Sequence, residues 1–266
     1  MPFPTRRAAL SLALAAALPL TALPLTAAAE TLRIGVSAGP HAEIMEQVRA
    51  VAADKGLTIE IVEFTDYLIP NQALAAGELE ANSFQHQPYL DNQNANAGLN
   101  LVSVATTVNF PMGIYSSRHA SFEEMPDGAT VAIQNDPTNG GRTLLLLADK
   151  GVIGLREGVG YLPTILDITD NPMNLRIVEL DAAQTPRALG DVDAAAINTN
   201  YAVDAGIDPT SAILREDPRG PYVNVIAVRE QDRDAPWVAT LIEAYHSDAV
   251  RAFVEERFGG VVLPSW

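Results

Sequence analysis

Two stretches hold side chains whose types and spacing could do chemistry. "ANSFQHQPYLD", from Ala81 to Asp91, sets Phe84, His86 and Tyr89 close together among amides and hydroxyls. Such a set can wall a pocket for a small molecule, offer an imidazole to a metal or to proton transfer, or form a hydrogen-bonded, partly buried patch of core. "NDPTNGGRTLLLL" sets Arg142 between two glycines and a leucine run, in or next to the first turn of a helix. A cation there opposes the helix dipole, so something negative must compensate it. Two partners fit: a ligand carboxylate held by the guanidinium and touched by backbone N–H groups, or one of the 33 acidic side chains of the chain in a salt bridge. The glycines favour the first, because they allow close backbone approach.

Catalysis finds less to rest on. The sequence contains no cysteine, which removes disulfides, thiolate metal sites and cysteine nucleophiles. A zinc site needs three or four ligands, and the histidines are His41, His86, His119 and His246. No G-x-S-x-G elbow, P-loop or G-x-G-x-x-G run is present, and Ser83 lacks an identifiable base. No catalytic residue, resident metal or cofactor is expected.

The elements that would position these residues alternate between strand and helix. "LRIGVSAG" reads as a strand and "HAEIMEQVRAVAADKG" as a helix with Ile44, Val48 and Val51 on one face. "LTIEIVEF" follows as a strand, "NQALAAGEL" as a short helix, and "LEANSF" and "LVSVATTV" as strands. The order then repeats: "ATVAIQN" strand, "RTLLLLADKG" helix, "LRIVELD" and "AAAIN" strands, and a helix start at "TNYAVDAG". "YVNVIAVR" supplies a last strand before two closing helices, "APWVATLIEAYHS" and "DAVRAFVEERFGG". This order predicts an α/β fold of two lobes, with the chain crossing between them near "NFPMGIYS" and "RGPYVNV". The expected division is residues 30–112 with 225–266 in one lobe and 113–224 in the other. Ligands of open α/β sheets sit beyond strand ends and between lobes. His86 and Tyr89, Asn139 and Arg142, Asn198 and Asn200, and Asn224 all fall at such ends.

The first 29 residues read differently. Arg6 and Arg7 precede an Ala/Leu run broken by Pro19 and Pro24, and Ala27 to Ala29 form a small-residue site before Glu30. This predicts a cleaved export signal, by the general secretory or the twin-arginine route. The net charge of −16 argues against nucleic acid and anionic membrane surfaces as partners.

"ANSFQHQPYLD", "NDPTNGGRTLLLL", "NPMNLRIVELDAAQTPRAL", "AAAINTNYAVDAGIDP" and "GPYVNVIAVR" together resemble the MetQ/NlpA-type family, the methionine-binding proteins of bacterial ABC importers. The resemblance spans essentially the whole chain after residue 29. It implies a two-lobed periplasmic-binding-protein fold, type II-like, that closes on L-methionine or a related small molecule and delivers it to an ABC transporter permease and its ATPase. It also implies that Tyr67, Phe84, His86 and Tyr89 wall the side-chain slot and that Arg142 takes the carboxylate. Asn198 and Asn224 would orient the amino-acid head, with Asn139 beside them. A receptor for another amino acid, a methionine derivative or a short peptide is the nearest alternative, and an exported enzyme or metal-binding protein using His86 a further one. Two features depart from the family pattern. Many members carry a lipid on a cysteine after the signal, and this chain has none, so a soluble periplasmic protein without a membrane anchor is expected. Asn200 and Phe110 stand where threonine and tyrosine are more usual.

Overall fold

The computed structural model describes Met1 and residues 31–266; the remaining residues of the expected export signal, and its cleavage point before Glu30, lie outside the described residues. The chain opens with β1 (Thr31–Ser37), α1 (Pro40–Asp54), β2 (Thr58–Phe64), α2 (Ile69–Ala75), β3 (Ala81–His86), α3 (Gln87–Ala97) and β4 (Leu101–Asn109). It then builds β5 (Gly113–Tyr115), β6 (Thr130–Gln134), α4 (Pro137–Asp149), the short pair β7 (Gly154–Leu155) and β8 (Ile168–Asp170), and β9 (Arg176–Leu180). After these come α5 (Thr185–Ala188), β10 (Ala194–Ile197), α6 (Thr199–Asp204) and β11 (Leu214–Arg215). The last elements are β12 (Val223–Arg229), α7 (Pro236–Tyr245), α8 (Asp248–Phe258) and β13 (Leu263–Pro264).

These form two main sheets, one per lobe. The first has the order β13-β4-β12-β3-β1-β2 and the second β11-β5-β10-β6-β9. In the first, β1 runs parallel to β2 and β3, while β12 returns antiparallel between β3 and β4. In the second, β6 runs parallel to β9 and β10, and β5 lies antiparallel to β10. The chain passes from one sheet to the other over residues 110–112 and comes back over 216–222.

Each lobe has its own core. Leu32, Ile34 and Val36 of β1 pack against Ile44 and Val48 of α1 and against Leu241, Tyr245, Val250 and Val254 of the closing helices. In the second lobe Val131 and Ile133 of β6 meet Leu144 and Leu147 of α4. Burying each such side chain contributes roughly 1.5–3 kcal/mol. The strand β3 is buried along its whole length although it holds Asn82, Ser83, Gln85 and His86. The cost of those amides is offset by Asn71 of α2, which donates to Gln85 Oε1 at 2.7 Å and accepts at Oδ1 from Asn82 (2.9 Å) and Gln85 (2.6 Å).

Two differences from the sequence expectation bear on the site. A helix, α3, follows β3 directly, where none was expected. It buries only Tyr89 and Leu90, so it offers almost no apolar period to read. The helix α4 starts at Pro137, so Arg142 lies in its second turn rather than in or beside its first.

Candidate functional site

The ends of β3, β6, β10 and the start of β12 converge on a cavity between the lobes. All eight residues singled out from the sequence, Tyr67, Phe84, His86, Tyr89, Asn139, Arg142, Asn198 and Asn224, line it, together with Gln85, Phe110, Thr199 and Asn200.

The first lobe gives an aromatic wall. The rings of Tyr67, Phe84 and Tyr89 lie about 6 Å apart in tilted and edge-on arrangements. Tyr89 donates its hydroxyl hydrogen to the Tyr67 carbonyl at 2.9 Å, and Tyr67 donates to Asn200 Oδ1 at 2.6 Å. Burial pushes both phenols well above the ordinary tyrosine range, so both stay neutral donors. His86 caps α3: the Tyr89 backbone N–H donates to its Nδ1 at 3.1 Å. An accepting Nδ1 places the proton of the neutral ring on Nε2, which donates to Asn139 Oδ1 at 3.2 Å. Burial, with the nearby Arg142 charge, lowers the imidazole pKa to about 3. His86 is therefore a neutral hydrogen-bonding wall, and among the described residues no group of three or more His, Cys, Asp or Glu could hold a metal ion.

The second lobe gives the charged end. Arg142 is only 3 % exposed. Its Nε donates to Glu216 Oε1 at 3.0 Å, and its Nη2 donates to Glu216 Oε2 at 2.5 Å and to the Phe110 carbonyl at 3.0 Å. The Tyr222 ring lies 4.2 Å from the guanidinium carbon. Nη1 has no hydrogen-bond partner among the described residues. Both readings of Arg142 thus meet at one residue: an acidic partner is in place, and one nitrogen remains for another acceptor. Among the described residues no Asp or Glu lines the cavity itself.

Part of the sequence reasoning about this corner needs correction. The helix start is not an anion cradle, because Asp136 fills it: its Oδ1 accepts from the Asn139 N–H at 2.9 Å and its carbonyl accepts from the Gly140 N–H at 2.9 Å. Nor do the glycines open a path to a ligand. A Cβ at Gly140 would sit 2.5 Å from the Gln134 carbonyl oxygen and one at Gly141 2.9 Å from that of Tyr161, so both are required by close packing of the protein on itself.

The amides are tied to one another. Asp136 accepts from Asn139 Nδ2 with both oxygens, which turns Asn139 Oδ1 toward His86 and toward Asn198 Nδ2 at 2.9 Å. Asn198 Oδ1 accepts from Gln134 at 2.9 Å. Asn224 donates to Nε2 of His41 at 2.8 Å, which leaves its own Oδ1 for the cavity. Buried Nδ2 of Asn200 has no partner among the described residues. The sequence placed Asn200 at a strand end without a role in the site, and Glu216 is one acid among many with no local pattern to mark it. Thr199 and Gln85 were also missed, although each adjoins a residue that was found.

A ligand cleft between two α/β lobes, joined by two crossings and walled by strand ends of both, defines a two-lobed substrate-binding protein. The profile of the NlpA lipoprotein family matches residues 32–266, and the chain belongs to that family. It is 46% identical over 239 residues to the D-methionine-binding lipoprotein MetQ of Escherichia coli K12, covering 88% of each chain. To Lipoprotein 28 of the same organism it is 44% identical over 242 residues, covering 90% of this chain and 89% of that one. Among solved structures it superposes on a nutrient-binding protein from Burkholderia cenocepacia bound to methionine with a TM-score of 0.87. The identity there is 48%, with 88% of this chain and all of that one covered. The crystal structure of the methionine-binding protein MetQ gives 0.86, at 45% identity and 89% and 98% coverage. Among the described residues no helix is long and apolar enough to cross a membrane.

Proposed function

We propose that this protein captures methionine in the cleft and hands it to an ABC importer, acting by binding and not by catalysis. The observation that carries this reading is the polarity of one cavity: three aromatic rings and a neutral histidine at one end, a buried arginine with an uncommitted Nη1 at the other. A thioether gains about 0.3–1.5 kcal/mol from a well-placed ring, while the carboxylate takes the arginine and the ammonium takes neutral amide oxygens such as Asn224 Oδ1. In this reading residues 30–112 with 225–266 and residues 113–224 are the bodies that move, and the crossings are the hinge. The absence of cysteine from the sequence supports a periplasmic protein that carries no thioether-linked lipid, docking on a permease and its ATPase from solution.

The test is calorimetric titration of protein stripped by unfolding and refolding, with L-methionine and D-methionine, followed by mass analysis of recovered ligand. Saturable binding with the ligand recovered unchanged is expected. No binding of either enantiomer, or a chemically altered product, overturns the reading.

A further inference from the structure

Resting on the reading of Arg142 as the carboxylate clamp, we infer that Glu216 is a positioning residue for ligand binding, acting through Arg142 from outside the cavity. Arg142 belongs to two concave surfaces at once. It lines the cavity between the lobes and also a groove on its other side, formed with Tyr161, Pro221 and Tyr222; Glu216 lines only that second groove. The carboxylate therefore grips the guanidinium from behind. Its two oxygens take Nε and Nη2, one edge of the fork, and leave Nη1 uncommitted. A planar guanidinium held along one edge has its other edge fixed in direction, which is how a bidentate partner orients it.

The same carboxylate is fastened to the crossings. Glu216 Oε2 accepts from the Met112 N–H at 3.1 Å, the Glu216 N–H donates to the Met112 carbonyl at 3.0 Å, and Arg142 donates to Phe110. Residues 110–112 and 216–222 are the two passages between the sheets. The clamp is thus anchored to both passages through one acid. Electrostatics point the same way. An arginine this buried is costly without a partner, and Glu216 compensates it whether or not a ligand is present. The Arg142–Glu216 pair carries no net charge, which suits an amino-acid zwitterion better than a simple anion.

A double-mutant cycle read by calorimetric titration with L-methionine tests this, using full-length protein and the variants Arg142→Ala, Glu216→Ala and the pair. Glu216→Ala is expected to weaken binding about tenfold or more, in keeping with a lost hydrogen bond to a charged group. In the Arg142→Ala background the same change is expected to alter affinity less than twofold, since nothing is left to position. Equal losses in both backgrounds overturn the inference and leave the clamp intact. An unchanged affinity in Arg142→Ala removes the clamp and the inference with it. If Glu216→Ala fails to fold, Glu216→Gln enters the same cycle: it keeps one acceptor oxygen and loses the charge and the second oxygen. A loss with Gln that disappears in the Arg142→Ala background supports the inference, and no loss with Gln overturns it.

Discussion

The junctions β3–α3 and β6–α4 face each other across the cleft and are built alike. Each strand is followed at once or within two residues by the cap of the next helix, His86 at the end of β3 and Asp136 just past β6; a proline follows within the first two helical positions, and the cap accepts the backbone N–H three residues on. The chemistry of the cap differs. His86 is neutral and spends its remaining ring proton on Asn139 across the cleft, whereas Asp136 is acidic and spends both oxygens on Asn139 in its own lobe. Charge is confined to the side that holds Arg142, and the aromatic side stays neutral. One local architecture, capped two ways, gives the cavity an apolar end and a polar end.

Four measurements would break or sharpen that division. The largest effect is expected at the charged end: Arg142→Ala should cost about 2–5 kcal/mol of methionine binding, as when one partner of a buried charge pair is truncated. Titration calorimetry reads it, and a loss no greater than that of a variant in the aromatic wall would abolish the distinction between the ends.

The neutral end should be the acid-sensitive one. Burial lowers His86 and also His41 to about 3, against about 6.5 in the unfolded chain. Between those values the unfolded state binds more protons than the folded one, so stability is full above about pH 6.5 and falls as the pH drops toward 3. Two such groups give a slope of at most about 2.7 kcal/mol per pH unit. Denaturant melts from pH 7 to 5 should show it, before most carboxylates titrate, and His86→Gln should remove about half. An unaltered slope in that variant would mean the ring is not held neutral.

Next, Asp136→Ala should lower folding stability by about 0.5–2 kcal/mol, the usual value of a helix cap, and should loosen Asn139 as well. A silent substitution would show that the two junctions are alike in outline only. Smallest of all, His86→Gln should reduce methionine affinity by about 1 kcal/mol, the net worth of one hydrogen bond, because glutamine can still reach Asn139. Complete loss of binding would instead give the imidazole a direct role with the ligand.

The strands and helices with a clear apolar period were legible, as "LRIGVSAG" and "HAEIMEQVRAVAADKG" show, since Leu32, Ile34 and Val36 of β1 and Ile44 and Val48 of α1 share one core. The helix α3 was not, because its eleven residues present amides to solvent and only Tyr89 and Leu90 to the interior. The eight residues singled out do meet around one cavity, since polar side chains at strand ends of a two-lobed α/β protein have few other places to go. What stayed illegible was who holds whom. Nothing near Glu216 in the sequence ties it to Arg142, 74 positions away. The glycines beside Arg142 suggested a ligand approach when their reason was the Gln134 and Tyr161 carbonyls. Long-range pairing and close backbone packing leave no local signature.

Three hydrogen bonds close over the cavity from one lobe to the other: Tyr67 to Asn200, Tyr201 to the Thr65 carbonyl, and His86 to Asn139. On the proposed function, a ligand entering between the lobes parts these contacts, and capture is then a gated event. The observed association rate should then rise with solute concentration and level off at the rate of parting. The apparent dissociation constant becomes the intrinsic one divided by the fraction of molecules standing open. Substitutions such as Tyr67→Phe, which weaken the gate, would act first on how quickly the protein loads.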